Sequence, residues 1–174
     1  RIRAAIAEIA AGRRDARIGR ATGVGELDAL AEGIDRMAVE IGKREGELQR
    51  MSMVIEQSPE SIVITDTSGS ILYVNEAFQR ITGYARDEVL GRNPRILNGG
   101  LTPSATYAQM WSTLLAGEVW RGEFNNVRKD GSAYLELATI APIKDAGGTV
   151  THYVAVKEDI TQRKQSEALL HRLA

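Results

Sequence analysis

Residues 120–161 decide the fold, and they read WRGEFNNVRKDGSAYLELATIAPIKDAGGTVTHYVAVKEDIT. Two segments in this stretch, Lys129 to Gly131 and Asp145 to Gly148, are typical of hairpin turns. Strand-like runs surround the two turns, at residues 120–128, 132–143 and 149–158. We therefore predict an antiparallel meander of three strands in the C-terminal half of the chain.

A further hairpin is predicted upstream of the meander, where Ser61–Thr65 and Ser70–Val74 flank a turn at Asp66–Gly69. Asn75 is a suitable N-cap for a short helix that ends at Gly83. Other short helices are expected at residues 87–90 and from Thr102-Pro103, on either side of a loop at residues 91–100. The order of elements indicates an α+β fold with one sheet.

Before the first hairpin, apolar residues recur with alternating steps of three and four, which is the heptad pattern of a coiled coil. Arg44 is the one charged residue in a core position of this pattern. A helix that spans this pattern would run about 50 Å. Such a helix needs a partner to bury its apolar seam, so we predict a parallel homodimer. A single amphipathic helix packed on the domain is the alternative. The seam consists of Leu27, Leu30, Ile34, Met37, Ile41, Leu48, Met51 and Ile55.

The composition excludes several classes of protein. The 174 residues include 22 Lys and Arg against 23 Asp and Glu, and a net charge of -1 does not favour binding to nucleic acid. The absence of Cys excludes disulfides and thiolate metal sites, and two His cannot form a zinc centre with three His ligands. No run reaches the ~18 consecutive apolar residues of a membrane-spanning helix. We therefore expect the chain to be soluble. Because the sequence does not begin with Met, we also expect it to be a fragment of a longer protein.

Motifs of catalysis are missing from the sequence. It contains no Gly-Lys-Ser/Thr phosphate loop, no paired-His metal motif and no Gly-x-Ser-x-Gly nucleophile elbow. Glu158 and Asp159 are adjacent, and adjacent residues of a strand point to opposite faces, so they do not form an acid–base pair. We predict no catalytic residue, no metal site and no enzymatic activity for this chain.

Residues 51–163 resemble a PAS domain in five motifs. These are Ile64–Asp66, Ile71–Asn75, Ile81–Tyr84, Arg128–Gly131 and Asp159–Thr161. The resemblance implies a five-stranded antiparallel sheet packed against short helices, with a cavity for the sensed ligand between them. It also implies that Asp159, Ile160 and Thr161 relay the signal from the sheet to the exit helix.

Residues 1–50 resemble the later part of a HAMP linker, in Ala10–Gly12, Glu26-Leu27 and Ile34–Ala38. That resemblance implies a homodimeric parallel helical bundle just inside a membrane, with the membrane anchor upstream of residue 1. The chain would then be the cytoplasmic part of an inner-membrane protein. Residues 164–174 are expected to begin an output signal helix. Within them, Leu169–Ala174 resembles the helix that leads into a diguanylate cyclase domain, and the dimerisation helix of a histidine kinase is the alternative. The implied partner is therefore the protein's own output domain, in cyclic-di-GMP or two-component signalling.

The segment Gly91–Gly99 resembles the flavin loop of blue-light LOV domains, but Pro94 stands where those domains have their adduct-forming Cys. Cysteinyl photochemistry is therefore excluded. The chain is more similar to the flavin-binding, redox-sensing PAS domains of nitrogen-fixation regulators and a methane monooxygenase sensor. The residues that follow their pattern are Thr102-Pro103, Tyr107, Trp111, Trp120, Asn126 and Arg128–Asp130. That resemblance implies FAD as the cofactor, with Trp120 and Asn126 beside it.

The chemistry of these side chains agrees with a flavin. Asn126 offers a donor and an acceptor to the polar edge of the ring, and Trp120 offers an aromatic face. Asn93, Arg95 and Asn98 lie in the loop that could contact the ribityl chain or a phosphate. Other interpretations stay open. Trp120 and Trp111 also suit a hydrophobic core, and Asn126 could form hydrogen bonds with backbone groups near the turn at Lys129–Gly131. The leading hypothesis is an FAD sensor of redox state, oxygen or light, and the alternatives are a ligand-free relay and a PAS domain for a non-flavin metabolite.

Overall fold

A computed structural model describes residues 25–173, with side chains from residue 29 to residue 172. The chain divides into two compact units, Arg1–Val54 and Ile55–Ala174. Residues 1–24, which are about half of the segment that resembles a HAMP linker, and the side chain of Leu27 lie outside the described residues. Among the described residues, no helix is both long enough and apolar enough to cross a membrane.

One long helix, α1, runs over Gly25–Glu56 and forms the described part of the first unit. It confirms the helix predicted from the heptad pattern. The seam residues lie along one stripe of this helix, and most of them are exposed in the single chain. Leu48 is 69% exposed and Met51 is 63% exposed. The partner that would cover the seam stays a prediction.

The second unit contains an antiparallel sheet of five strands in the order β2-β1-β5-β4-β3. The three C-terminal strands form the predicted meander, and β5 then pairs with β1, so that the two hairpins join into one sheet. The fold class predicted from the sequence is therefore confirmed. The strands are β1 (Ser61–Asp66), β2 (Ile71–Val74), β3 (Trp120–Val127), β4 (Ala133–Lys144) and β5 (Val150–Asp159).

Short helices connect β2 to β3, and a longer helix leaves the sheet after β5. Asn75 caps α2 by accepting a hydrogen bond from the amide of Phe78 at 3.1 Å, and Gly83 ends this helix with a left-handed φ of 78°. The predicted loop at residues 91–100 contains a 3-10 turn, Pro94–Leu97. The helices are α2 (Glu76–Thr82), α3 (Arg86–Val89), α4 (Ser104–Leu115) and α5 (Thr161–Leu173).

The start of the second unit is attached through two polar side chains. Asn75 is completely buried, and its amide group donates to the carbonyl of Ile55 at 3.0 Å and to that of Glu60 at 2.9 Å. The carboxylate of Glu56 accepts a short hydrogen bond from Tyr73 and lies 2.6 Å from the guanidinium of Arg86. Ile55 and Glu56, the first residues of the second unit, are therefore bonded to the segment of β2, α2 and α3.

The hydrophobic core has two clusters on the inner face of the sheet. The first cluster packs β1, β2 and α2 together around Phe78, and the second packs α4 against β3, β4 and β5 around Phe124. Ile140 packs against both clusters. The space between the two clusters is therefore bounded by the sheet on one side and by α4 with the 3-10 turn on the other.

Candidate functional site

A cavity of about 390 Å³ occupies this space. Its volume is within the range of small-molecule sites, which is roughly 300–1,000 Å³. The centre of the sheet leaves room for the cavity because Ala155 has a small side chain and stands between Val63 and Ile140 on the neighbouring strands. Most of the wall is apolar or aromatic: Val63, Pro94, Tyr107, Met110, Trp111, Leu114, Phe124, Ile140, Tyr153 and Ala155.

Two aromatic pairs form much of the apolar wall. The rings of Tyr107 and Phe124 are stacked with centroids 5.4 Å apart, and those of Trp111 and Tyr153 meet edge to face at 5.8 Å. Trp111 suited a core position from its sequence pattern, but it lines the cavity and is 38% exposed. The wall therefore offers flat apolar surfaces suited to a planar ring system.

The polar wall of the cavity lies on the three C-terminal strands. Asn126 of β3 and Lys157 of β5 line the cavity, and Glu136 of β4 stands between them. The Oε1 atom of Glu136 lies 3.1 Å from the Nδ2 atom of Asn126 and 2.9 Å from the Nζ atom of Lys157. Both contacts are diagonal across neighbouring strands, since Glu136 is directly opposite Phe124 and Asp159.

These three polar side chains are almost fully buried. Asn126 is 5% exposed, Glu136 1% and Lys157 6%. A buried ion pair costs several kcal/mol per ion in desolvation and persists only where further hydrogen bonds satisfy the charges. Tyr134 supplies one, because its hydroxyl donates to Oε2 of Glu136 at 3.2 Å. Burial, and then the charge of Glu136, raise the pKa of Tyr134 above its ordinary value, so the hydroxyl keeps the proton that it donates.

The loop before α4 closes one side of the cavity and is pinned to β3. Asn98 forms a bridge with Asn126, and the hydroxyl of Thr102 accepts a hydrogen bond from the amide of Asn125 at 2.8 Å. Asn93 caps the 3-10 turn through its side-chain oxygen, which accepts from the amide of Arg95 at 3.0 Å. All three predicted loop residues, Asn93, Arg95 and Asn98, line the cavity.

Trp120 lies behind the cavity wall. Its ring is 3% exposed, sits 5.0 Å from the ring of Phe124 and covers Gly122, where a Cβ would lie 2.3 Å from the indole. It is not among the residues that line the cavity, so its predicted contact with a cofactor stays a prediction. The indole N–H is buried without a hydrogen-bond partner in the described part of the chain, which costs about 1–3 kcal/mol.

The predicted relay residues connect the sheet to the exit helix. One carboxylate oxygen of Asp159 lies 2.6 Å from the guanidinium of Arg128, and the other accepts hydrogen bonds from the amide and the hydroxyl of Thr161. The hydroxyl of Thr161 also accepts from the amide of Leu135 at 2.9 Å. The amide of Ile160 donates to the carbonyl of Leu135 at 2.9 Å. The first turn of α5 is therefore bonded directly to β4 and to the end of β5, and Asp159 links it to Arg128, which follows β3.

The donor and acceptor set of this cavity fits a flavin. A flavin has a planar ring with a polar edge and a ribityl chain that ends in phosphate. The aromatic wall suits the ring, Asn126 and Lys157 together offer an acceptor and donors to the edge, and Arg95 suits a phosphate. The residues of this chain can therefore hold that group.

A five-stranded antiparallel sheet that closes over a ligand cavity with short helices defines the class of sensory domains found in signalling proteins. The family model for the PAS domain matches residues 59–162, and this chain belongs to that family. The predicted resemblance of residues 51–163 to a PAS domain is confirmed.

Comparisons with individual proteins agree with this family. The nitrogen fixation regulatory protein of Klebsiella oxytoca is 41% identical over 108 residues, which are 62% of this chain and 22% of the regulator. The chain thus spans about a fifth of that relative. A solved RNA-binding light-oxygen-voltage receptor has a TM-score of 0.66 and 29% identity, over 72% of this chain and 36% of the receptor. A light-oxygen-voltage domain studied with a flavin analogue has a TM-score of 0.61 and 30% identity, over 71% of this chain and 93% of that domain.

Sequence reasoning missed Glu136 and Lys157. The signal that could have found them is the two-residue alternation of β4 and β5. Tyr134, Glu136 and Ala138 share the inner face of β4, and Lys157 shares the inner face of β5 with Ala155. A charged residue at an inward position of a strand indicates a paired or functional group.

Proposed function

We propose that this PAS domain binds FAD and senses redox state, oxygen or light for a longer signalling protein. The observation that carries the proposal is the cavity itself, which combines an aromatic wall with the buried group of Asn126, Glu136 and Lys157. Such a wall is suited to a flat ring with a polar edge. The similarity to a nitrogen fixation regulatory protein and to a domain studied with a flavin analogue supports the same proposal.

A bound flavin supplies reversible reduction coupled to protonation of a ring nitrogen. The amide of Asn126 can meet either protonation state, because it carries both a donor and an acceptor. Its Nδ2 group donates to Glu136 in this structure, which directs the Oδ1 atom away from that carboxylate. A change at the ring edge that rotated the amide, so that Nδ2 took the place of Oδ1, would break the hydrogen bond to Glu136.

A continuous polar path leads from this wall to the exit helix. Glu136 accepts from Tyr134, and the guanidinium of Arg128 lies 4.4 Å from the centre of the Tyr134 ring. Arg128 in turn pairs with Asp159, whose other oxygen caps α5 through Thr161. We propose that the ligand state reaches α5 along this path and shifts the population of two arrangements of the helix.

The proposal extends to the longer protein. The exposed seam of α1 would pair with a second copy in a parallel homodimer, and a membrane anchor would precede residue 1. The exit helix would lead to a diguanylate cyclase or a histidine kinase as the output domain. The chain would then be the cytoplasmic, non-catalytic sensor part of an inner-membrane protein.

The proposed cofactor is tested by the visible absorption spectrum of freshly purified protein, followed by denaturation and chromatography of the released material. We expect the two-band spectrum of an oxidised flavin and FAD in the supernatant. Asn126→Ala is expected to weaken flavin retention or alter its redox behaviour, whereas Asn125→Ala, on the outer side of the same strand, is the matched control. A colourless protein that takes up no added FAD or FMN would overturn the proposal.

A second candidate is a cavity for a small anionic metabolite. The observation that favours it is that Lys157 and Arg95 both line the cavity, so two cationic side chains face the same space. Native mass spectrometry of colourless protein separates this candidate from a ligand-free relay, because a bound metabolite adds a defined mass that is lost on denaturation.

A further inference from the structure

The ammonium group of Lys157 is the buried cation of the cavity wall. Lys157 is 6% exposed and lines the cavity, and its Nζ atom lies 2.9 Å from Glu136 and 6.0 Å from the centre of the Phe124 ring. An ammonium carries three N–H donors, and the ion pair with Glu136 uses one of them. The remaining donors are available to a molecule in the cavity.

Glu136 cannot play the same part for a ligand. It does not line the cavity. Its carboxylate pairs with the ammonium of Lys157 and accepts hydrogen bonds from Asn126 and Tyr134. Asn126 donates one of its two amide hydrogens to Glu136, and its oxygen remains available to a ligand as an acceptor. The cavity wall therefore presents the cationic donor Lys157 beside the neutral acceptor Asn126. The carboxylate of Glu136, which balances the charge of Lys157, lies behind the wall.

We infer that Lys157 is the residue that determines the charge preference of this cavity, so that the cavity binds the anionic form of a ligand more tightly than the neutral form. Charges interact strongly in a site with little water, which makes a single buried ammonium decisive. Arg95 does not replace it, because Arg95 is exposed in the loop, where solvent screens its charge.

For a flavin, this inference rests on the proposed function and makes it more specific. Two electrons and one proton added to the oxidised ring leave one negative charge on it. Lys157 then favours the reduced form over the oxidised form, and the ratio of the two dissociation constants appears as a shift in midpoint potential. A tenfold change in that ratio corresponds to about 30 mV for a two-electron couple.

The test compares the full chain, loaded with FAD, with variants of Lys157 during reductive titration with dithionite and a reference dye. Lys157→Met is expected to reduce the preference for the reduced flavin at least tenfold. The midpoint potential would then fall by about 30 mV or more. Lys157→Gln keeps a donor to Glu136 and is expected to show the same loss, so the test survives if the Met variant does not fold. Lys157→Arg retains the charge and is expected to stay near the wild type.

Lys129→Met is the matched control, because Lys129 forms a half-exposed ion pair with Glu88 at 2.5 Å and does not line the cavity. Its midpoint potential is expected to equal that of the wild type. Equal potentials in Lys157→Met, Lys157→Gln and the wild type would overturn the inference while leaving flavin binding established.

A protein that takes up no flavin would overturn the proposed function, and the charge preference is then measured with two dyes. The probes are 8-anilinonaphthalene-1-sulfonate, which is anionic, and N-phenyl-1-naphthylamine, which has the same rings without the charge. The ratio of their affinities is expected to fall at least tenfold in Lys157→Gln and to be unchanged in Lys129→Met. An unchanged ratio in Lys157→Gln would overturn the inference.

Discussion

The Nη2 atom of Arg128 lies 2.6 Å from the Oδ2 atom of Asp159, which ties the end of β3 to the end of β5 where the exit helix begins. About a quarter of each side chain is exposed. The Oδ1 atom of the same carboxylate accepts from the amide of Thr161 at 3.0 Å. Asp159 therefore combines two functions, because it is both the partner of a charge and the cap of a helix.

Two substitutions of Asp159 separate these functions. Asp159→Asn keeps an acceptor for Thr161 but loses the charge, and we expect it to lower the free energy of unfolding by about 1 kcal/mol. Asp159→Ala also loses the cap, which adds about 1 kcal/mol. Urea unfolding measures both values. Glu158→Gln is the control, since the ion pair of Glu158 with Arg163 is about half exposed. Equal losses of unfolding free energy in Asp159→Asn and Asp159→Ala would mean that the cap contributes nothing.

The carboxylate of Glu56 makes the stability of the second unit depend on pH. The hydrogen bond from Tyr73, and then the ion pair with Arg86, lower the pKa of Glu56 from 4.5. Burial raises the pKa of Tyr73 to about 12, so its hydroxyl donates throughout the neutral range. The pKa of Glu56 is lower in the folded state than in the unfolded state. Its contribution to the free energy of unfolding is therefore complete well above pH 4.5 and is lost as the pH falls through the folded-state pKa.

We expect Glu56→Gln to unfold at a lower urea concentration than the wild type at pH 7, and the difference to shrink as the pH falls below 4.5. Urea titrations at several values of pH, from pH 7 to well below pH 4.5, measure the difference. Glu118→Gln, an exposed residue after α4, serves as the control for general charge effects. A difference between Glu56→Gln and the wild type that is constant over the whole range would contradict this assignment.

Gly99 allows the loop before α4 to lie against β3. A Cβ at this position would be 2.2 Å from Cγ2 of Val127, so Gly99→Ala must displace either the loop or the side chain of Val127, next to Asn126. We expect the variant to release bound flavin several-fold faster in a dilution experiment followed by fluorescence. Val127→Ala in the same chain removes the clashing methyl groups and is expected to restore retention. Gly46→Ala is the control, since a Cβ there meets nothing within 4 Å.

The seam of α1 predicts the oligomeric state. Leu48 is exposed in the single chain and occupies a core position of the heptad pattern, so Leu48→Asp is expected to convert a dimer to a monomer in light-scattering measurements. Val39→Asp changes an exposed residue of the same helix outside the seam, and its mass is expected to be unchanged. Arg44→Leu replaces the charge in the seam and is expected to strengthen the dimer. A dimer that survives Leu48→Asp would show that another surface holds the two copies together.

Local signals were sufficient to predict most of the fold. The turns at Lys129–Gly131 and Asp145–Gly148, the cap at Asn75 and the end of its helix at Gly83 are each confirmed. Each depends on residues close together in the chain, where backbone geometry and side-chain hydrogen bonds act directly. Asn93, Arg95, Asn98 and Asn126 line the cavity, and their contact with a cofactor stays a prediction.

The sequence by itself determined the order of the strands along the chain and the long helix before them, because periodicity and turn residues are local properties. Only the tertiary structure decided which inward residues meet. Glu136 and Lys157 are 21 positions apart and pair through the register of β4 with β5, while Trp120 lies behind Phe124 and Trp111 reaches the cavity. Strand register and the packing of α4 depend on the whole core, and they place a buried charge where a ligand can meet it.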